Sequence, residues 1–155
     1  MKQIEIQELI AAWQQFFNSK NSWQEFIQDC RPITSPNGMI YELPNFLNRD
    51  NESFAVVDMR KIAFAEPHYH PDLEIYFVLQ GTADVFVGGN KQAASAGDVV
   101  IIPPYKAHFT IPDKNFIIGC VNTPPYRPES YLVLTESNLS VGFDRHQFTL
   151  LTQQI

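Results

Sequence analysis

The stretch AEPHYHPDLEIYFVLQG, Ala65 to Gly81, sets His68 and His70 two apart, with Glu74 four residues later at the entrance of an apolar run that stops at a glycine. Residues two apart on a strand share a face, so the two imidazoles project together. Glu74 has the same parity, with Pro71-Asp72 bending the chain between them. A third imidazole, His108, follows the segment IIPPYKA. Three nitrogens and one carboxylate oxygen suit a borderline divalent metal, and a six-coordinate ion would keep two positions open for substrate or water. Burying such groups in an apolar interior without partners costs free energy, and coordination supplies the partner. An H-x-H pair alone is more often two hydrogen-bonded structural histidines; here the spacing is richer.

The elements that must hold these residues change character along the chain. Ile6, Leu9, Ile10, Trp13, Phe16 and Phe17 recur at three and four, which draws one apolar stripe on a helix. NSKN at 18–21 interrupts it. Ser22 with Glu25 makes a capping box, and Trp23, Phe26 and Ile27 continue a second short helix. Arg31-Pro32 and the turn SPNG at 35–38 end this arm. From Met39 onward, short β-branched and aromatic runs alternate with Gly, Pro and Asn turns: SFAVVDMRKIAFA, EIYFVLQ, ADVFV, DVVIIP, HFTIP, NFIIGCV, SYLVLTE. VGGNKQ at 87–92 carries hairpin chemistry. Many short strands with regular turns mean an all-β sandwich or barrel. We therefore expect a helical arm over 1–38 and a barrel over 39–155, in one domain. The tail DRHQFTLLTQQI fits strand or helix. Both faces of EIYFVLQ are apolar, so one lines the barrel and the other needs a cover, either the N-terminal helices or a second subunit. A homodimer is the corresponding expectation.

Of 155 residues, 45% are apolar and 18% charged, with a formal net charge of -6, which reads as globular and acidic. No Lys/Arg cluster offers a face for nucleic acid. The longest apolar runs are strand-length, so no membrane span is expected. The N-terminus, MKQIEIQELIAAWQQFF, lacks a signal-peptide cleavage pattern. Cys30 and Cys120 lie far apart; they would allow a single disulfide, but two ordinary reduced, buried thiols fit better. The expected setting is cytoplasmic.

HYHPDLEIYFVLQG resembles the first cupin motif, H-x-H, three residues, Glu, six residues, Gly. GDVVIIPPYKAH, Gly97 to His108, resembles the second. The resemblance spans roughly 53–135. It implies a cupin double-stranded β-helix, a small jelly-roll barrel, with N-terminal α-helices packed outside and a metal held near the barrel mouth. The ligand positions fall on His68, His70, Glu74 and His108, all chemically intact. Departures lie around them: Ile62 stands where the first motif leads with Gly, Tyr105 replaces a turn glycine, and Pro112 stands for a trailing Asn. These concern turns more than ligation.

Around the ligands, Phe64 and Glu66 share the parity of His68, and Tyr76 and Val78 that of Glu74. Phe64 and Val78 read as core. Tyr76 either orients a substrate or is a buried Tyr bonded to backbone. Glu66 is either a general base or a charge at the mouth. Tyr105 and Lys106 flank His108 and could sit at the rim. Arg60 shares Phe64's parity if the strand runs unbroken, and could then meet an anionic group. His146 reads as a surface or satisfied histidine, and NTPPYRPESY at 122–131 as a loop crossing the mouth. Three functions compete for a small-molecule substrate: a metal-dependent dioxygenase, which we place first; a sugar or sugar-phosphate isomerase or epimerase; and a non-catalytic binding module. The expected cofactor is one divalent metal, Fe2+ first, with Mn2+, Zn2+, Ni2+ and Co2+ as alternatives.

Overall fold

The apolar stripe of the N-terminus forms α1, Gln3–Asn18, in the computed structural model, which describes residues 3–19, 22–43 and 50–134. The second helix is shorter than its pattern suggests. Trp23–Phe26 is a single 3-10 turn, and Ser22 makes no side-chain cap bond. Its geometry is set by packing: the buried Phe26 ring lies 4.9 Å from Phe16 and 5.5 Å from Phe17, centroid to centroid. The tail with His146 lies outside the described residues.

Eleven strands follow among the described residues: β1 Ile33–Ser35, β2 Gly38–Glu42, β3 Ser53–Asp58, β4 His68–Tyr69, β5 Leu73–Gln80, β6 Thr82–Val87, β7 Asn90–Ser95, β8 Val99–Ile102, β9 His108–Pro112, β10 Ile117–Thr123 and β11 Leu132–Val133. They pair antiparallel into a six-stranded sheet, β1-β2-β3-β10-β5-β8, and a five-stranded sheet, β11-β4-β9-β6-β7. Gly88-Gly89 closes the expected β6–β7 hairpin, with Val87 opposite Asn90 and Gly88 at φ 59. This is the all-β jelly-roll with helical cover.

Strand alternation sorts the core into two layers. Between the sheets, Tyr76, Val78, Val100 and Ile118 of the larger sheet meet Ala83, Val85 and Ala94 of the smaller. On the outer face, Phe54, Val56, Ile75, Phe77 and Val121 pack under Leu9 and Trp13 of α1. Trp13 stacks on Phe54 at 4.7 Å. Phe17 presses on Gly119 so closely that a Cβ there would lie 2.3 Å from its ring. Both faces of β5 are thus covered, the outer one from the same chain.

The run SFAVVDMRKIAFA does not form one strand. β3 stops at Asp58, where Arg60 folds back to donate to both carboxylate oxygens, at 3.0 and 2.8 Å. The Arg60 guanidinium also lies over Trp23, 5.2 Å from the ring centroid. With the strand broken, parity no longer links Phe64 to His68. Phe64 packs instead in a separate cluster with Ala107, Phe109 and Leu134.

Candidate metal centre

His68 opens β4 and His108 opens β9, and the two are directly opposite in the five-stranded sheet. After His70 the chain crosses at Pro71-Asp72 to the six-stranded sheet. There Glu74 in β5 pairs with Ile102 on one side and Asn122 on the other. The four residues therefore join the two sheets at one end of the barrel. All are buried, and their donor atoms lie within 4.8 Å of one another.

Backbone carbonyls orient the rings. Nδ1 of His68 donates to Glu66 O (2.6 Å), of His70 to Asp72 O (3.1 Å) and of His108 to Lys106 O (2.8 Å). A donating Nδ1 leaves the Nε2 lone pair as the coordinating atom. The Nε2 atoms of His70 and His108 are buried and turn towards one carboxylate oxygen. They face Glu74 Oε2 at 2.5 and 3.7 Å. A nitrogen lone pair so near a carboxylate oxygen needs positive charge between them, a proton or a metal ion. Buried nitrogens converging on a carboxylate fit a divalent cation.

The local charges reinforce this. Burial, with electrostatic repulsion from the His108 side, pushes His68 down to about 3, so its ring is neutral. Burial acts the same way on His70, but Asp72 and Glu74 outweigh it and raise that ring to about 10. Burial would raise Glu74 too, yet His108 and His70 hold it well below the usual carboxylate range.

Residues that spacing did not single out support the four. The Asn122 amide donates to the Asp72 carboxylate and, at 3.2 Å, to Glu74 Oε2. The Cys120 thiol donates to Glu74 Oε1 and Asn122 Oδ1, both at 3.3 Å. Cys120 is thus a partner of the centre and not an ordinary buried thiol. Their shared parity on β10 was the available signal. Tyr131 stacks on His68, centroids 4.3 Å apart at 21°. Its hydroxyl donates to Glu66 Oε2 at 3.0 Å and accepts from Asn37 Nδ2 at 3.0 Å.

A cavity of about 350 Å³ opens beside His68, His70 and Glu74, walled by Val57, Met59, Ile118, Tyr76, Tyr126 and Tyr131. Tyr126 and Tyr131 come from NTPPYRPESY, which does border the mouth. Tyr76 is at the cavity, where burial and the nearby Glu74 charge push its phenol up. Glu66 is not a lining residue; its carboxylate meets Tyr131 and its N–H donates to Asn37 Oδ1 at 2.7 Å. Arg60, Tyr105 and Lys106 do not line it either. Tyr105 occupies the turn-glycine position at φ 62, exposed, and its N–H donates to His70 O at 2.7 Å. No Lys or Arg lines the cavity among the described residues.

Residues 55–113 match the family described as "Cupin domain". The matched stretch, from within β3 to the end of β9, resembles a cupin domain. An RmlC-like cupin from Shewanella frigidimarina superposes with a TM-score of 0.58 at 19% identity, over 71% of this chain and 95% of that one. Streptomyces Pac13, solved with uridine, gives 0.60 at 9% identity, over 70% and 88%. At such identities the likeness is one of fold. In sequence, a gentisate 1,2-dioxygenase from Haloferax sp. is 28% identical over 72 residues, 46% of this chain. This chain matches only 20% of that relative's length.

Proposed function

We propose that this protein is a metal-dependent dioxygenase acting on a small, largely apolar organic molecule. The observation that carries the reading is the convergence of three imidazoles and Glu74 at the edge of an apolar, tyrosine-walled cavity of about 350 Å³. His68, His70, Glu74 and His108 would hold the ion. A redox-active divalent metal, Fe2+ first, would supply the reaction with O2 and open positions for substrate. The chain's own residues do the rest. Asn122 and Cys120 fix the Glu74 carboxylate, Tyr131 backs the His68 ring, and the apolar walls exclude water from the reacting molecule. Similarity to a gentisate 1,2-dioxygenase supports this class of chemistry.

One observation favours a second reading, proton transfer without O2. Tyr131, with Glu66 hydrogen-bonded behind it, stands at the cavity wall beside His68, and the structurally similar Pac13 is described as a nucleoside dehydratase. A phosphosugar isomerase is less well supported, because a phosphate wants Lys or Arg in the pocket. Arg60 is engaged by Asp58 and Trp23.

The test is direct. Protein purified without chelator is analysed for bound metals by elemental mass spectrometry, then loaded anaerobically with Fe2+ and screened for oxygen uptake over a panel of hydroxylated aromatics. We expect substrate-dependent uptake that Zn2+-loaded protein lacks. Iron-loaded protein that consumes no oxygen with any member, yet eliminates water from or isomerises an uncharged sugar, would overturn the dioxygenase in favour of the second reading.

A further inference from the structure

The floor of the cavity is laid out across the six-stranded sheet, strand by strand. Glu74 in β5 is opposite Asn122 in β10, which is opposite Ser53 in β3. Two residues along the strands, Tyr76 is opposite Cys120, Cys120 opposite Ala55, and Ala55 opposite Glu42 in β2. All the residues of these two rows line the cavity. The residues that alternate with them, such as Ile75, Val56 and Val121, pack under α1 instead. A third row, Ile118, Val57 and Ile40, is apolar throughout. Neighbouring strands lie about 4.8 Å apart, so the floor runs about 10 Å from Glu74 to Ser53 and about 14 Å from Tyr76 to Glu42.

The candidate metal centre stands over the β5 end of this floor, at Glu74. Away from it the side chains are short, with Cys120 on β10 and Ser53 and Ala55 on β3. Tyr126 walls the middle of the trough. Its N–H donates to Ser53 Oγ at 2.9 Å. Burial, with the charges of Glu74 and Asp72 at one end and Glu42 at the other, pushes its phenol up. The volume agrees with this shape. An apolar protein cavity of about 150 Å³ holds one benzene ring, and this one measures about 350 Å³. A single ring anchored at Glu74 would leave water over Ala55, against apolar walls, and a second ring would displace it.

We propose that the cavity takes a molecule two rings long, with a metal-binding group at Glu74 and an apolar second ring, or a chain of similar size, over Ala55. This rests on the proposed function, since it takes the other end of the molecule to lie at the metal. Ala55 is the specificity-determining residue in this reading, because the length of substrate admitted depends on its having no side chain beyond Cβ.

The test uses Zn2+-loaded protein under nitrogen, so that the ligands are not consumed, with zinc content measured first. Catechol and 4-phenylcatechol are titrated calorimetrically; they share the metal-binding diol and differ by the second ring. The phenyl compound should bind at least about tenfold tighter. Ala55→Leu fills the trough beyond the first ring, so it should abolish that advantage while zinc content and catechol affinity stay unchanged. Should the leucine variant lose zinc, Ala55→Val is read in its place and should cut the advantage at least about threefold. Equal binding of the two compounds by the wild-type protein, or an advantage that survives in the variant read, overturns the inference. Wild-type protein that takes up no zinc, or that binds neither compound, strikes the proposed function and this inference with it. Loaded protein that binds catechol as tightly as 4-phenylcatechol strikes this inference alone.

Discussion

His70 stands between two carboxylates, Asp72 on its Nδ1 side at 3.1 Å and Glu74 on its Nε2 side at 2.5 Å. Burial disfavours its charge, but the pair of carboxylates lifts it to about 10, so in metal-free protein near neutral pH the ring is an imidazolium. A metal on Nε2 must displace that proton. Metal uptake near pH 7 should therefore release about one proton per chain. Calorimetry in two buffers of different ionisation heat reads this, and identical apparent enthalpies would refute it. His70→Ala should cut metal occupancy severely in a barrel that still folds, and full retention by elemental analysis would remove His70 from the ligand set. Asn122→Ala leaves the Glu74 and Asp72 carboxylates without their common donor, so metal affinity should fall by about 10–100-fold in a competitive chelator titration. The four ligands were legible in the sequence because their spacing is local, save for His108. Asn122, Cys120 and Tyr131 were not. Their contacts join strands or loops far apart in the chain, 94 residues in the case of Asn37 and Tyr131.

Among the elements, α1 shows what periodicity can and cannot settle. The spacing of Leu9, Trp13 and Phe17 requires a helix with one buried face, and the two-sided apolar pattern of β5 requires a cover. The structure joins the two requirements, with α1 on the outer face of the six-stranded sheet. Two segments depart from their sequence patterns. Ser22 and Glu25 have capping-box spacing, but the segment closes as a 3-10 turn under the aromatic contacts of Phe26. Residues 59–67 have strand composition, yet the Asp58–Arg60 pair turns the chain, and parity holds only along unbroken strand. Trp13 is 1% exposed and touches the sheet through Phe54. Trp13→Ala should cost about 3–5 kcal/mol of stability in denaturant unfolding. Because α1 and the ligands lie on opposite faces of that sheet, the folded fraction should bind metal normally. Metal loss from the folded fraction would show that the helix positions the centre.

At the scale of the whole molecule, the barrel's two sheets are tied at the mouth by opposed titrations, and these fix how metal-free stability varies with pH. His68 is depressed from its ordinary 6.5 to about 3. Its contribution is complete above 6.5 and is lost as pH falls towards 3, because the unfolded chain takes up a proton that the buried ring refuses. Glu74 is also depressed, from 4.5, so its contribution is likewise lost in acid. His70 runs the other way. Raised from 6.5 to about 10, it contributes fully below 6.5 and loses that contribution as pH climbs through 10. Metal-free protein should therefore be most stable near pH 6.5, declining on both sides. A bound metal takes the place of the His70 proton, so it should flatten the alkaline limb. It should steepen the acid one, where protons compete for the same nitrogens. Thermal melting across this range, with chelator and with saturating Zn2+, separates the two limbs. If the chelated protein grows steadily more stable from pH 6.5 towards 10, His70 is not held as a cation between Asp72 and Glu74. The centre would then be a set of neutral imidazoles around Glu74, and its metal affinity would owe nothing to proton exchange.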